Sequence, residues 1–273
     1  MEARLDRPIT VHMMGDWGIA NLHRICGWIG AELWRRSPPG SKFATWAGRG
    51  GSDAIEAVLD GEVHTAMFVP AGFARTVFEG KGIVRRPDVG RLRALGTLPQ
   101  DDRLVLAIDA GHGVTSFAEL RAKKPKLRLT TAQDDGVNMT GFAAHRMLEA
   151  EGVSAATIES WGGKMLLGEA PWDTIPLGIR GEADAVLFDA VMTPYWKELC
   201  TKRKMNFIPF DDDALAKVER DFSWRCATVP ADRFPGLTAP VQALDFSEFL
   251  LFCRDDFPDN IAVQNAIQKI DAV

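Results

Sequence analysis

Two strand-like runs, Leu92 to Leu98 and Leu104 to Ile108, follow one another with no helix between them. On both sides of this pair, strands alternate with helices. Upstream, Ile9 to Met14 reads as a buried strand. A helix over Ile19 to Arg36 follows, with Ile19, Leu22, Ile25, Cys26, Ile29 and Leu33 at helical spacing and Pro38-Pro39-Gly40 as its stop. Next come a strand over Lys42 to Trp46, a helix over Ala54 to Leu59 capped by Ser52 or Asp53, a strand over His64 to Val69 and a helix over Ala71 to Phe78. Downstream, helices are expected over Ser116 to Arg121, Val137 to Glu151, Trp172 to Arg180, Met192 to Thr201 and Asp213 to Asp221. Strands are expected over Lys126 to Thr131, Thr157 to Trp161, Ala183 to Phe188 and Asn206 to Phe210. A strand pair near 241–254 returns the chain, and Asn260 to Ile270 reads as a closing helix. The β-α-β rhythm implies parallel sheets with helices on their faces. The break in that rhythm divides it into two α/β lobes joined by crossing strands, one over 1–103 with 245–273 and one over 104–244, with a ligand cleft expected between them.

The chain has 273 residues, enough for two lobes of ordinary size, and a net charge of −5. A nucleic-acid binder carries a basic stripe; the basic run from Arg121 to Arg128 reads instead as a solvated helix end. Cysteines at 26, 200, 226 and 253 form no CxxC pair and have apolar or aromatic neighbours, so they read as buried free thiols. No run has the apolar length of a membrane span. Met1 to Pro8 lacks a signal-peptide core. The expected location is therefore periplasmic if a signal peptide has been removed and cytoplasmic otherwise.

Several segments resemble known solute receptors. The run from Gly50 to Ala66, Gly-Gly-Ser-Asp-Ala-Ile-Glu-Ala-Val-Leu-Asp-Gly-Glu-Val-His-Thr-Ala, is similar to one found in type II periplasmic binding proteins. Gly113 to Leu120 resembles the run that opens their second lobe, and Thr130 to Gly136 followed by Met147 to Val153 resembles a later one. The segment Ala227 to Gly236, then Val241 to Phe246 and Phe249 to Asn260, resembles the closing segment of the TAXI family, the solute receptors of TRAP-type transporters. The resemblance implies a two-lobed type II periplasmic-binding-protein-like α/β fold. It also implies capture of a small organic acid or amino-acid-like anion for membrane transporter subunits. Two places depart from the family: Gly15 to Asn21 stands where a Gly/Thr/Tyr-rich loop is usual, and Asp134 to Asn138 where a Ser-Gly-Thr loop is usual. The solute is therefore left open.

In open α/β sheets, ligands bind outside the carboxyl ends of the strands. That rule selects the loops Gly15 to Gly18, Ala47 to Ser52, Pro70 to Phe73, Ala132 to Asn138, Gly162 to Lys164 and Asp189 to Thr193. Several precede helices, whose free N–H groups favour an anionic group. Arg49, between Gly48 and Gly50, can grip a carboxylate with two hydrogen bonds, or it is a surface arginine. Lys164 offers a second cation. Trp17, Trp46, Phe73 and Trp161 can form an aromatic wall or pack the core. Asp16, Asp134 and Asp135 can bind an ammonium or cap helices, so a zwitterion would satisfy Arg49 and an aspartate together. Gly50, Ser52, Asn138 and Asp189 complete the expected ligand set. No nucleophile-and-base pair, metal-ligand spacing or cofactor fingerprint is present, so no catalytic residue, metal or cofactor is expected.

Two other functions fit the same scaffold. One is a cytoplasmic enzyme acting on a small, aromatic or other, carboxylic acid, such as a decarboxylase, with cleft carboxylates as acid or base. The other is a ligand-sensing domain of a regulator. No helix-turn-helix precedes Ile9, so this segment alone would not bind DNA.

Overall fold

The computed structural model describes residues 4–257. The closing helix expected over Asn260 to Ile270 lies outside them. In chain order the elements are β1 Thr10–Asp16, α1 Asn21–Arg35, β2 Lys42–Gly48, α2 Ser52–Leu59, β3 Thr65–Phe68, α3 Ala74–Phe78, β4 Leu92–Pro99, β5 Arg103–Asp109, α4 Phe117–Lys123 and β6 Arg128–Ala132. Then follow α5 Met139–Ala150, α6 Ala155–Ser160, β7 Lys164–Gly168, α7 Pro171–Ile179, β8 Ala185–Phe188, α8 Pro194–Lys202, β9 Met205–Ile208, α9 Asp212–Phe222, β10 Cys226–Val229, β11 Val241–Asp245 and β12 Glu248–Arg254. The chain forms two compact units, Met1–Gln100 with Glu248–Val273, and Asp101–Ser247.

The first unit is built on a five-stranded sheet in the order β2-β1-β3-β12-β4. β1 runs parallel to β2 and β3, while β12 is antiparallel to β3 and β4. Helix α1 explains why one face is closed. Leu22, Cys26, Ile29 and Leu33 recur every three or four residues and are buried with Val11, Met13, Leu251 and Cys253 of the sheet. Each such side chain contributes roughly 1.5–3 kcal/mol when fully buried.

The second unit is a seven-stranded sheet in the order β10-β11-β5-β8-β6-β7, with β9 also paired to β5. β6 is parallel to β7 and to β8, and β5 is antiparallel to β8, β9 and β11. Trp196 of α8, Phe207 of β9 and Phe234 pack their rings together in its core, the last two stacked at 5.5 Å.

The alternation read from the sequence appears throughout, with one exchange. Thr157 to Trp161, expected as a strand, lies instead in α6 and its C-terminal turn. Ser154 overrides that expectation, because its side chain accepts the Thr157 N–H at 3.2 Å and starts a helix. The strand comes later, at β7. Strand β10 was not foreseen, and it carries the exposed Cys226. The other three thiols are buried, which pushes Cys26 and Cys200 up to about 12 and Cys253 to about 11.

Candidate functional site

In the first unit, β1 and β2 end side by side, with Asp16 opposite Gly48. A single antiparallel bridge then joins Asp16 to Arg49, and Trp17 donates its N–H to the Gly48 carbonyl at 2.6 Å. The two loops are thus one structure. Gly50 has φ +71°, and a Cβ there would stand 3.1 Å from the Asp16 Cβ and 3.6 Å from the Trp17 ring, so glycine lets the loops close together.

Several of the backbone N–H groups expected to receive an anion are met by the protein's own side chains. Asp16 Oδ1 accepts the His23 N–H at 3.0 Å in the first turn of α1. Burial pushes its carboxyl above the usual range, against the pull of these N–H bonds. Asp53 neither starts α2 nor caps it as a flanking residue. It sits in the first turn and accepts the Arg49 and Gly51 N–H groups at 2.5 and 3.1 Å. Arg49 therefore carries its guanidinium on a loop pinned at both ends.

Two members of the expected aromatic wall stand elsewhere. Phe73 is 1% exposed within the turn Ala71–Phe73, so its ring packs in the core. An apolar ring next to a strand end was free to turn inward. Trp46 is 44% exposed on β2, two residues before the strand end, with its ring 5.9 Å from that of His12. Ser52 is buried as the first residue of α2.

In the second unit, the carboxyl ends of the parallel strands are Ala132, Gly168 and Phe188. Asn138 caps α5, its Oδ1 accepting the Gly141 N–H at 3.0 Å and its Nδ2 donating to the Glu169 carbonyl at 2.7 Å. It therefore ties the loops after β6 and β7 together. Asn138→Ala is expected to destabilise the protein by about 1–2 kcal/mol through the lost cap and the stranded Glu169 carbonyl, measured by urea unfolding. Asp135 accepts the Val137 and Asn138 N–H groups, each at 3.0 Å. Asp134 pairs with Arg146 at 3.1 Å. Asp134 and Asp135, two of the three expected ammonium ligands, thus already hold protein donors. Asp189, after β8, accepts the Thr140 hydroxyl at 3.2 Å.

The shift of β7 moves two expected ligands. Lys164 is the first residue of β7, in register with Arg128 at the start of β6, and Trp161 closes α6 before it. Both lie at the amino end of the strands, away from Gly168. The residues that do follow β7 are Glu169 and Ala170, with Trp172 in the first turn of α7. Pro171 at the first helical position was the available signal for that boundary. Asp102 was also missed. It is 3% exposed, and its Oδ1 accepts the Val191 N–H of the β8–α8 turn at 2.8 Å. Among the described residues, no group of three or more His, Cys, Asp or Glu side chains can hold a metal ion.

A family model described as NMT1-like matches residues 29–264. The chain belongs to the NMT1-like family. No match was found among curated protein sequences. Among solved structures, this NMT1-like chain is similar to PhnD1 from Prochlorococcus marinus (MIT 9301) in complex with methylphosphonate, at 11% identity over 96% of this chain and 83% of that one, with a TM-score of 0.54. It is similar to a periplasmic transporter protein at 11% identity over 97% and 83% of the two chains, with a TM-score of 0.51. The alkanesulfonate-binding protein SsuA from Xanthomonas axonopodis pv. citri, bound to MOPS, aligns at 11% identity over 98% and 72%, with a TM-score of 0.49. The first two likenesses give this NMT1-like protein a two-sheet α/β fold of the periplasmic-binding-protein kind.

Proposed function

We propose that this protein is a solute-binding protein that takes up a small organic acid or amino-acid-like anion and presents it to membrane transporter subunits of the TRAP type. Its fold carries the reading, since solute receptors are built on two α/β sheets of this kind. The TAXI-like closing segment supports the TRAP assignment over other transporters. Such a role implies a periplasmic location.

Arg49 is the residue proposed to grip the solute carboxylate, beside Trp17 and Gly50. The N-termini of α1 and α5 are engaged by Asp16 and Asn138, and Asp53 and Asp135 take N–H groups of the loops before α2 and α5. A side-chain cation is then the better partner for a carboxylate, and a guanidinium offers two parallel donors.

Proton NMR of amino acids, dicarboxylates, aromatic carboxylates and methylphosphonate, mixed with the protein and followed for hours, tests the reading. Selective line broadening without new signals is expected. Protein-dependent product signals would replace the receptor by the enzyme alternative. Arg49→Ala is expected to weaken the identified solute about tenfold or more. Unaltered affinity would remove Arg49 from the site.

A further inference from the structure

Asp189, Ala190 and Val191 form a sharp turn after β8. Ala190 has φ +62°, a left-handed conformation that an alanine keeps only where its surroundings hold it. The holding groups are identifiable. Trp196 Nε1 donates to the Asp189 carbonyl at 2.7 Å, and Thr193 Oγ1 donates to the Ala190 carbonyl at 2.7 Å. The third comes from a position 89 residues away in sequence: the Val191 N–H donates to Asp102 Oδ1 at 2.8 Å. The same oxygen accepts the Arg103 N–H at 2.8 Å, and the Asp102 carbonyl accepts the Phe246 N–H at 3.3 Å. Asp102 lies two residues past Gln100, where the chain enters the second unit, and Phe246 lies one residue before Ser247, where it leaves.

We infer that Asp102 is a positioning residue of the second unit's candidate ligand loop, its carboxyl group fixing the Asp189–Val191 turn to the segment by which the chain enters that unit while its backbone carbonyl holds the segment by which the chain leaves. The inference rests on the solute-binding reading for its function, though its geometry is independent of any solute. The surroundings of Asp102 favour the protonated form of its carboxyl group. Burial and the charge of Asp189 push its carboxyl well above the ordinary carboxylate range, more strongly than its N–H bonds pull it down. Neighbouring charged groups have partners of their own. Arg103 turns Nη1 to the Asp102 carbonyl, Arg233 pairs with Asp101 at 2.9 Å, and Asp245 of β11 accepts the Ser247 N–H. A carboxyl group raised in this way makes the turn's fixation pH-dependent. It is secure while Asp102 is protonated, and it weakens as the pH rises and a second negative charge develops beside Asp189.

Asp102→Asn and Asp102→Ala separate the roles. Asparagine keeps an acceptor for the Val191 and Arg103 N–H groups and mimics the neutral acid; alanine removes the acceptor. Hydrogen exchange at the Val191 amide, expressed as a protection factor, is measured on the full chain without solute at pH values from the acid side of neutrality into the alkaline range. Protection in the wild type is expected to fall as pH rises. In Asp102→Asn it should stay flat and close to the wild type's acid-side value, and in Asp102→Ala it should be about tenfold lower throughout. If Asp102→Ala does not fold, the comparison between wild type and Asp102→Asn decides alone. Parallel pH profiles in those two proteins, or wild-type protection in Asp102→Ala, would overturn the inference. Because no solute enters the measurement, a failed solute screen would count against the proposed function and leave this result standing.

Discussion

Gly141→Ala is expected to remove several kcal/mol of stability, about 3 or more, and to displace the loop that precedes α5. The cause is a close backbone approach in the first turn of that helix. A Cβ on Gly141 would land on the Gln133 carbonyl and within 3.0 Å of the Asp134 N, and neither is the movable end of a side chain. Gln133 cannot retreat easily, because its N–H donates to the Gly168 carbonyl at 2.9 Å and holds the loop to the end of β7. Relief must come from α5, whose Gly141 N–H would then leave Asn138 Oδ1. The cap, the Asp135 turn and the bond from Asn138 to Glu169 would loosen together. Thermal and urea unfolding measure the loss, and amide exchange at Val137 and Asn138 reports the loop. A melting temperature within a degree or two of wild type would show that the helix can slide away without cost. Gly15 makes the equivalent approach in the first unit, where a Cβ would stand 2.5 Å from both Cα and N of His23. In each unit, a glycine lets a helix N-terminus close against a strand-end loop.

These two glycines mark how far the sequence could be read. The α/β rhythm was legible because strands and helices differ in apolar period, and α1 shows this with four buried residues at helical spacing. The six-residue helix α6 was not, since it is too short to establish a period and Thr157-Ile158 favours a strand. That one error carried Trp161 and Lys164 to the wrong end of their sheet and hid Glu169. The choice of loops followed from strand order alone, whereas the role of each polar side chain depended on distant partners. Nothing near Asp16 announces that it serves the His23 N–H, and nothing near Asp134 announces Arg146. Asp102 was invisible for the same reason: its partner Val191 is brought to it by the fold. Local spacing locates helix caps within a few residues, but it does not distinguish an aspartate waiting for a ligand from one already engaged.

Glu151→Gln is expected to remove about 3 kcal/mol of the decline in stability that the wild type shows between mildly acid and mildly alkaline pH. Glu151 closes α5, with its side chain buried among three elements. Oε1 accepts the Asp211 N–H at 2.7 Å where α9 begins, and Oε2 lies 3.4 Å from Arg121 of α4. Arg121 is divided, since its Nη2 pairs with Asp211 at 2.9 Å and its Nη1 also serves the Glu151 carbonyl. Burial therefore dominates and raises the Glu151 carboxyl from 4.5 to about 7. The native state then binds a proton more tightly than the unfolded chain does, which fixes the sign. Below about pH 4.5 the acid is protonated in both states and contributes no pH dependence. As the pH rises from there through about 7, the unfolded chain ionises first and the native state loses stability. Above that window both states are ionised, and the native state carries the whole cost of a buried charge. Glutamine cannot ionise, and its carbonyl oxygen can still accept the Asp211 N–H. The variant should thus equal or fall slightly below the wild type on the acid side and exceed it on the alkaline side, so that the two stability curves cross. Asp16 and Asp102, also raised, tilt both curves in the same direction, so the difference between wild type and variant isolates Glu151. Urea unfolding at half-unit pH steps would show it. Curves that run parallel across the window would mean that Arg121 and the Asp211 N–H compensate the charge fully, and that the α5–α9 junction is held by an ion pair and not by a neutral acid.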